Sequence, residues 1–232
     1  MELCPWCREE LAGPGPRRVR PHPEPPGLPA VHAAAPYADA VRAVLLAHKE
    51  RGALSLAGPL GSVLAGAVEA AAGRWDASGT GPLLLVPVPS SRRSVRARGH
   101  DPTRRIALAA AGRLRRRGRA ARVVPVLRQR RNVADQSGLG ARGRFANLAG
   151  ALEVVPGGAR LMEGGRVVLV DDLMTTGASL TEAARALSAV HLPFIPGQGG
   201  ATAEIGWVES GFVRPTAAVV ACSPSSFDPN RN

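Results

Sequence analysis

The sequence predicts one α/β domain built on a parallel sheet, and three observations lead there. Residues 167–170 (Val-Val-Leu-Val) are an uninterrupted aliphatic run of the kind found in strands covered on both faces. Further aliphatic runs at 83–89 and 216–221 read as strands, and stretches with apolar residues at helical spacing lie between them. Hydrophobic residues make up 45% of the chain while aromatics are only 3%, so the core has to be filled by Ala, Val and Leu. At 232 residues the chain has room for one domain of about 200 residues with small attachments, not for two.

The N-terminal element is Cys4-Pro5-Trp6-Cys7. Its spacing suits half of a zinc knuckle, but a structural zinc takes four ligands and no second pair follows. His22 and His32 are the nearest other candidates, so full ligation of Zn2+ by this chain alone is not expected. Residues 13–29 carry seven prolines and read as an extended linker. Residues 31–37 form a short strand, and 38–48 a helix with Val41, Val44 and Leu45 on one side. Lys49-Glu50-Arg51-Gly52 ends that helix, which makes Lys49 a helix C-terminal charge in the simplest reading.

Residues 56–72 are a second helix, striped by Leu56, Leu60, Val63, Leu64, Ala67 and Val68. The strand at 83–89 ends in prolines and is followed at once by Ser90-Ser91-Arg92-Arg93, hydroxyls and arginines that suit a diphosphate. Arg98-Gly99-His100 leads into a helix at 103–117; His100 serves as an acid or base, or it positions the loop or caps the helix. A third strand is expected at 123–127. The glycine-rich, basic segment 128–143 is either a loop that closes over a phosphorylated substrate or a surface excursion. Residues 144–148 and 150–154 are expected to return the chain to the sheet. Residues 191–215, with three prolines and five glycines, read as an insertion or a local hairpin carrying Trp207, and 225–232 as a polar tail.

The formal net charge is +12, from 29 arginines and one lysine against 18 acids. That imbalance speaks for compositional bias as much as for function. The arginines concentrate at 92–98 and 113–131, where a nucleic acid, a diphosphate-bearing small molecule and a plain solvated face are all consistent partners. Aromatics are not interleaved among them, which argues against a stacking platform for single strands. Three cysteines are too few for a disulfide scaffold. The start Met1-Glu2-Leu3-Cys4 lacks the regions of a signal peptide, and no run of about 18 apolar residues occurs. A cytoplasmic protein without membrane insertion is expected; oligomeric state is left open.

The stretch most suggestive of chemistry follows the run at 167–170: Asp171-Asp172-Leu173-Met174-Thr175-Thr176-Gly177-Ala178-Ser179, then a helix marked by Leu180, Ala184 and Leu187. A loop at the carboxyl end of a parallel strand is where ligands of open α/β sheets bind. Gly177 permits a tight turn, helix-start amides point outward, and three hydroxyls can donate to an anion. Asp171 and Asp172 repel a phosphate but accept from a pair of vicinal sugar hydroxyls. Sugar at the carboxylates and phosphate at the turn is the consistent division.

Residues 168–179 resemble the phosphoribosyl-diphosphate (PRPP) signature of the type I phosphoribosyltransferases. With Lys49 in 37–52, Val86-Pro87-Val88-Pro89 and its arginines, Arg98-Gly99-His100, Gln136 within 128–147, and 217–224, the chain resembles the ComF (competence protein F) branch over most of 31–224. The resemblance implies a type I phosphoribosyltransferase fold, a parallel sheet flanked by helices with a remnant N-terminal Cys-x-x-Cys segment. It divides the chain into a partial zinc-knuckle-like segment and linker at 1–30, a phosphoribosyltransferase-like domain at 31–224 with 191–215 inserted, and a tail. Members begin with a four-cysteine zinc module, of which only Cys4 and Cys7 are present here.

The resemblance also implies PRPP as ligand with Mg2+ on its diphosphate, transfer of phosphoribosyl to an unidentified acceptor, and in some bacteria a link to DNA uptake through DNA or the competence machinery. Asp171 and Asp172 would take the ribose. Thr175, Thr176, Gly177, Ala178 and Ser179 would take the 5′-phosphate, and Ser90, Ser91 and Arg92 would face diphosphate and metal. Lys49, Arg98, Arg131 and Gln136 complete the expected PRPP set. The alternative is a non-catalytic PRPP- or DNA-binding protein.

Overall fold

The computed structural model describes residues 3–73, 81–131, 141–190, 208–209 and 212–227. Its elements in chain order are α1 (Pro5–Ala12), β1 (Arg17–Val19), β2 (Val31–Pro36), α2 (Asp39–Glu50), a 3-10 turn (Leu54–Leu56), α3 (Ala57–Ala72), β3 (Leu83–Pro87), α4 (Arg92–Arg98) and α5 (Pro102–Arg116). There follow β4 (Ala121–Val123), β5 (Leu127–Gln129), α6 (Ala141–Leu148), β6 (Leu152–Val154), α7 (Gly158–Met162), β7 (Arg166–Met174) and α8 (Ala178–Ser188). The chain closes with β8 (Val208–Glu209), β9 (Phe212–Val213), β10 (Thr216–Cys222) and α9 (Pro224–Phe227).

The strands form a six-stranded, mostly parallel sheet in the order β1-β2-β10-β7-β3-β4, flanked by helices on both faces. Only β1 is antiparallel to its neighbour. Every residue of β3 and β10 is buried, which is why these strands carry aliphatic runs without alternation. Burial along β7 is continuous to Val170 and first breaks at Asp171. On one face, Val41, Leu60, Leu64, Ile106 and Leu114 from α2, α3 and α5 pack on Val168 and Val170. On the other, Leu180 and Leu187 of α8 pack with Val167, Leu169, Met162 and Phe227.

The scarcity of large side chains lets helices approach closely. A Cβ on Gly61 of α3 would come within 2.5 Å of the Ala109 Cβ on α5, so the two helices touch backbone to backbone here. The 19-residue stretch Leu54–Ala72 has the length and, at 1.4, the mean hydropathy of a membrane-crossing helix. Half of that stretch is buried inside the protein: its apolar stripe packs on the sheet and α5.

Four segments differ from the sequence expectation. The proline-rich stretch is not merely a linker: β1 pairs along β2, with Val19 buried. The third strand divides around Pro125 into β4, in the main sheet, and β5, outside it, since proline has no amide for a ladder. Residues 144–154 do not return to the main sheet; α6 is helical, and β6 pairs antiparallel with β5 in a separate two-stranded ladder. The described part of 191–215 includes the β8–β9 ladder, and Trp207 lies outside the described residues. The C-terminal tail starts with α9, whose buried Phe227 receives the Arg17 guanidinium 4.6 Å above its ring.

Candidate functional site

After β3 the chain crosses through α5 to the outer strand β4, on one face. After β7 it crosses through α8 to β10, on the opposite face and in the opposite direction along the sheet. The neighbouring strands β3 and β7 therefore flank a topological switch point, where diverging connections leave a crevice beyond the carboxyl ends. Their register pairs Pro87 with Val170, and the Val88 amide donates to the Val170 carbonyl at 2.9 Å. Ser90 and Ser91 follow directly from this end of β3, so the two sequence-predicted halves leave from the carboxyl ends of adjacent strands.

Asp172 is buried, and its Oδ2 lies 2.7 Å from Lys49 Nζ at the last turn of α2. Asp171 Oδ1 accepts from the Asp172 backbone amide at 2.8 Å and from the Thr103 hydroxyl at 3.4 Å. Desolvation and the adjacent Asp172 charge push the Asp171 carboxyl well above the usual carboxylate range, only partly offset by Lys49. For Lys49, burial works against the charged form, but the Asp172 carboxylate and its hydrogen bond, with Asp171, outweigh it and raise the ammonium above its ordinary range. The pair divides into one carboxyl that favours its proton and one paired with a cation.

The turn that follows has its own geometry. Gly177 sits at φ +79°, in the left-handed region, and begins α8 with no side-chain cap. The Ala178 amide makes a long 3.5 Å contact to Thr176 Oγ1, and helix-start amides have no partner within their own helix. Thr176 and Ser179 are half-buried and Thr175 is exposed. A Cβ at Gly177 would stand 2.9 Å from Leu28 Cδ1 and 3.4 Å from Pro25 Cγ, because the proline-rich segment lies against this turn.

Across the crevice, Ser91 caps α4: its Oγ accepts from the Ser94 amide at 3.0 Å. Ser90 is half-buried just before it, and Arg92 is exposed at the first position of α4. Arg98 is bound by Glu50 in a two-bond fork at 2.8 and 2.6 Å. His100 reaches the His48 carbonyl through Nε2 at 3.3 Å. The 98–100 loop is thereby tied to the α2 turn that carries Lys49. Arg131 donates to the carbonyls of Asn147 and Ala149 at 2.9 and 3.0 Å, pinning the end of α6, while Gln136 lies outside the described residues.

Thr103 and Glu50 are the contributors that sequence reading did not single out. Asp101 caps α5 and Pro102 opens it, a start signal that places Thr103 in the first turn facing the strand ends. Glu50 had no local signal, since its partner Arg98 is distant in sequence. At the N-terminus, Cys4 is the exposed cap of α1, its Sγ accepting from the Cys7 amide at 3.3 Å, and Cys7 is half-buried. Among the described residues no group of three or more His, Cys, Asp or Glu is arranged to hold a metal ion. An open pocket of about 420 Å³ follows α8 from Ala178 to Ser188, with Pro26, Gly27 and Phe145 also lining it.

No family model matches the chain, and no curated protein matches it.

Proposed function

We propose that the chain is a type I phosphoribosyltransferase-like protein of the ComF kind, a cytoplasmic protein that binds PRPP with magnesium and transfers its phosphoribosyl group to an acceptor. One observation carries this reading. Asp171 and Asp172 lie near the carboxyl end of β7, which runs to Met174 and leads into the left-handed Gly177 that starts α8, at the switch point beside β3, the strand that Ser90 and Ser91 follow.

In this reading the ribose hydroxyls face the acidic pair. Asp171, its carboxyl raised by desolvation and by the adjacent Asp172, and Asp172, paired with Lys49, would together face two vicinal hydroxyls. The amides of Ala178 and Ser179, with the hydroxyls of Thr175, Thr176 and Ser179, hold the 5′-phosphate at the helix start. Ser90 and Arg92 face the diphosphate. The acceptor forms a bond to the anomeric carbon as the bond to diphosphate breaks, the electron pair leaving with diphosphate and the acceptor's proton passing to solvent. Holding ring and leaving group in line lowers the barrier by positioning.

Magnesium suits this donor set, which offers carboxylate and hydroxyl oxygens to a hard cation at a place already favouring the Lys49 ammonium. Ser90 and Ser91 would face it together with the substrate's diphosphate, and it would neutralise charge on the departing group. The test is a thermal shift with PRPP and magnesium on the full chain and on the double variant D171N/D172N. A shift that the variant abolishes is expected; no shift in the parent chain overturns the proposal. A panel of nucleobases and amines, read by diphosphate release, then identifies the acceptor.

A second reading, a non-catalytic PRPP- or DNA-binding protein, draws on the exposed Arg92, Arg93 and Arg96 of α4. It expects DNA affinity that falls steeply with salt and no diphosphate release with any acceptor.

A further inference from the structure

We propose that Glu50 is a positioning residue for the diphosphate half of the site: through Arg98 it holds α4, the helix that Ser91 caps, against the last turn of α2. This role presupposes that the crevice is a PRPP site, and Glu50 itself touches no ligand.

Helix α4 is weakly held by its own residues. It spans Arg92–Arg98, and none of these seven residues is buried, so no core side chain anchors it. A helix of two turns is marginal in water without tertiary support. Arg92 and Arg96 stand four apart on it, a destabilising like-charge pair. Ser91 caps the start and left-handed Gly99 ends the helix, but both act within the segment.

The support comes from α2. Among the described residues, the side-chain bonds that leave α4 are those of Arg98: Nε donates to Glu50 Oε2 at 2.8 Å and Nη2 to Oε1 at 2.6 Å. Two parallel bonds fix orientation as well as distance. His100 adds a second tie, with Nδ1 3.1 Å from the Arg98 carbonyl and Nε2 3.3 Å from that of His48. Arg98, expected from the sequence in the PRPP set, is here an arm of the clasp.

The same turn reaches the other half of the site. Lys49, next to Glu50, holds Asp172 at the end of β7, so consecutive residues of one helix fix both halves. The Arg98 charge works against the Lys49 ammonium, and Glu50 is the acid that lets both cations share this corner. Loss of Glu50 should therefore loosen α4 while Asp171, Asp172 and the Gly177 turn keep their places.

The test titrates the full chain with PRPP and magnesium, and separately with ribose 5-phosphate, by calorimetry. E50A should bind PRPP at least fivefold more weakly and ribose 5-phosphate within twofold of the parent. E50R/R98E, which rebuilds the fork with the charges exchanged, should return PRPP affinity to within twofold of the parent. Without ligand, hydrogen exchange at the Val95 and Gly99 amides, which bond to the Ser91 and Val95 carbonyls, should quicken in E50A and recover in the exchanged pair. Unchanged PRPP affinity in E50A, equal weakening of both ligands, or unaltered exchange in α4 overturns the proposal. So does an exchanged pair that stays weak, since the acid at position 98 then faces the diphosphate. A parent chain that does not bind PRPP overturns the reading of the crevice and this role with it, whereas the other outcomes leave that reading standing.

Discussion

Lys49 Nζ lies 2.7 Å from Asp172 Oδ2, so the single lysine of the chain engages the more deeply buried of the paired acids. Removing it with K49A leaves a buried carboxylate without its cation. Because Lys49 is still about a third exposed, the cost lies between that of a surface pair and a buried one, about 1–3 kcal/mol. Calorimetry should show a lower Tm, with K49A/D172N recovering part of the loss. Lys49 is held above its ordinary value of 10.5, so its contribution is complete below that pH and is lost as pH rises through the raised value. The stability gap between parent and K49A should accordingly close at strongly alkaline pH.

The opposite sign applies to Asp171. A carboxyl raised in the folded state binds its proton more tightly there than in the unfolded chain, so stability falls as pH rises from the ordinary value of 3.8 toward the raised one. D171N removes the titration. It should be more stable than the parent at neutral pH, with the advantage shrinking as pH drops from the raised value to the ordinary 3.8. Urea melts at several pH values would check this; a constant difference across that range would refute it. The same variant should lose PRPP binding, setting stability and function against each other at one side chain.

Gly177 is constrained twice, by φ +79° and by Leu28 packed where a Cβ would project. G177A should cost about 1–3 kcal/mol through the left-handed backbone alone, with crowding added. Combining it with L28A relieves only the crowding, so the double variant should recover part of the stability in denaturant titration. Full recovery would mean that the backbone conformation costs nothing.

Glu182 is buried, accepts from the Leu152 amide at 2.9 Å and is forked by Arg185, whose other contact is the Leu152 carbonyl. A side-chain pair on α8 thus stands in for a neighbouring strand along β6. Burial opposes ionisation, but the hydrogen bonds from Arg185 and Leu152 outweigh it and hold Glu182 below the ordinary carboxylate range. Its contribution is therefore present above that range and lost as pH falls through the lowered value. E182A should cost about 1–3 kcal/mol and selectively speed hydrogen exchange at Leu152.

How much was readable beforehand follows from the range of each interaction. The strands at 83–87, 166–174 and 216–222 were legible because burial on both faces writes itself as an aliphatic run, and the acidic pair and glycine turn because they are contiguous with one. The β5–β6 ladder was not, since three-residue strands leave no period to detect. Neither was the fork between Glu50 and Arg98, or the reach of Thr103 to Asp171, because contacts between residues 48 and 68 apart have no local signature. Pro25 and Leu28 read as linker because proline content reports stiffness, not what a stiff segment rests on.

That last contact bears on how the protein should be dissected. A fragment beginning at Val31 would look like the natural minimal domain, yet it would strip β1 from β2 and leave a buried strand's edge bare, an invitation to pair with other chains. It would also lift Pro25 and Leu28 off the Gly177 turn. Loss of ligand binding in such a truncation would then report a missing buttress, not a missing ligand contact.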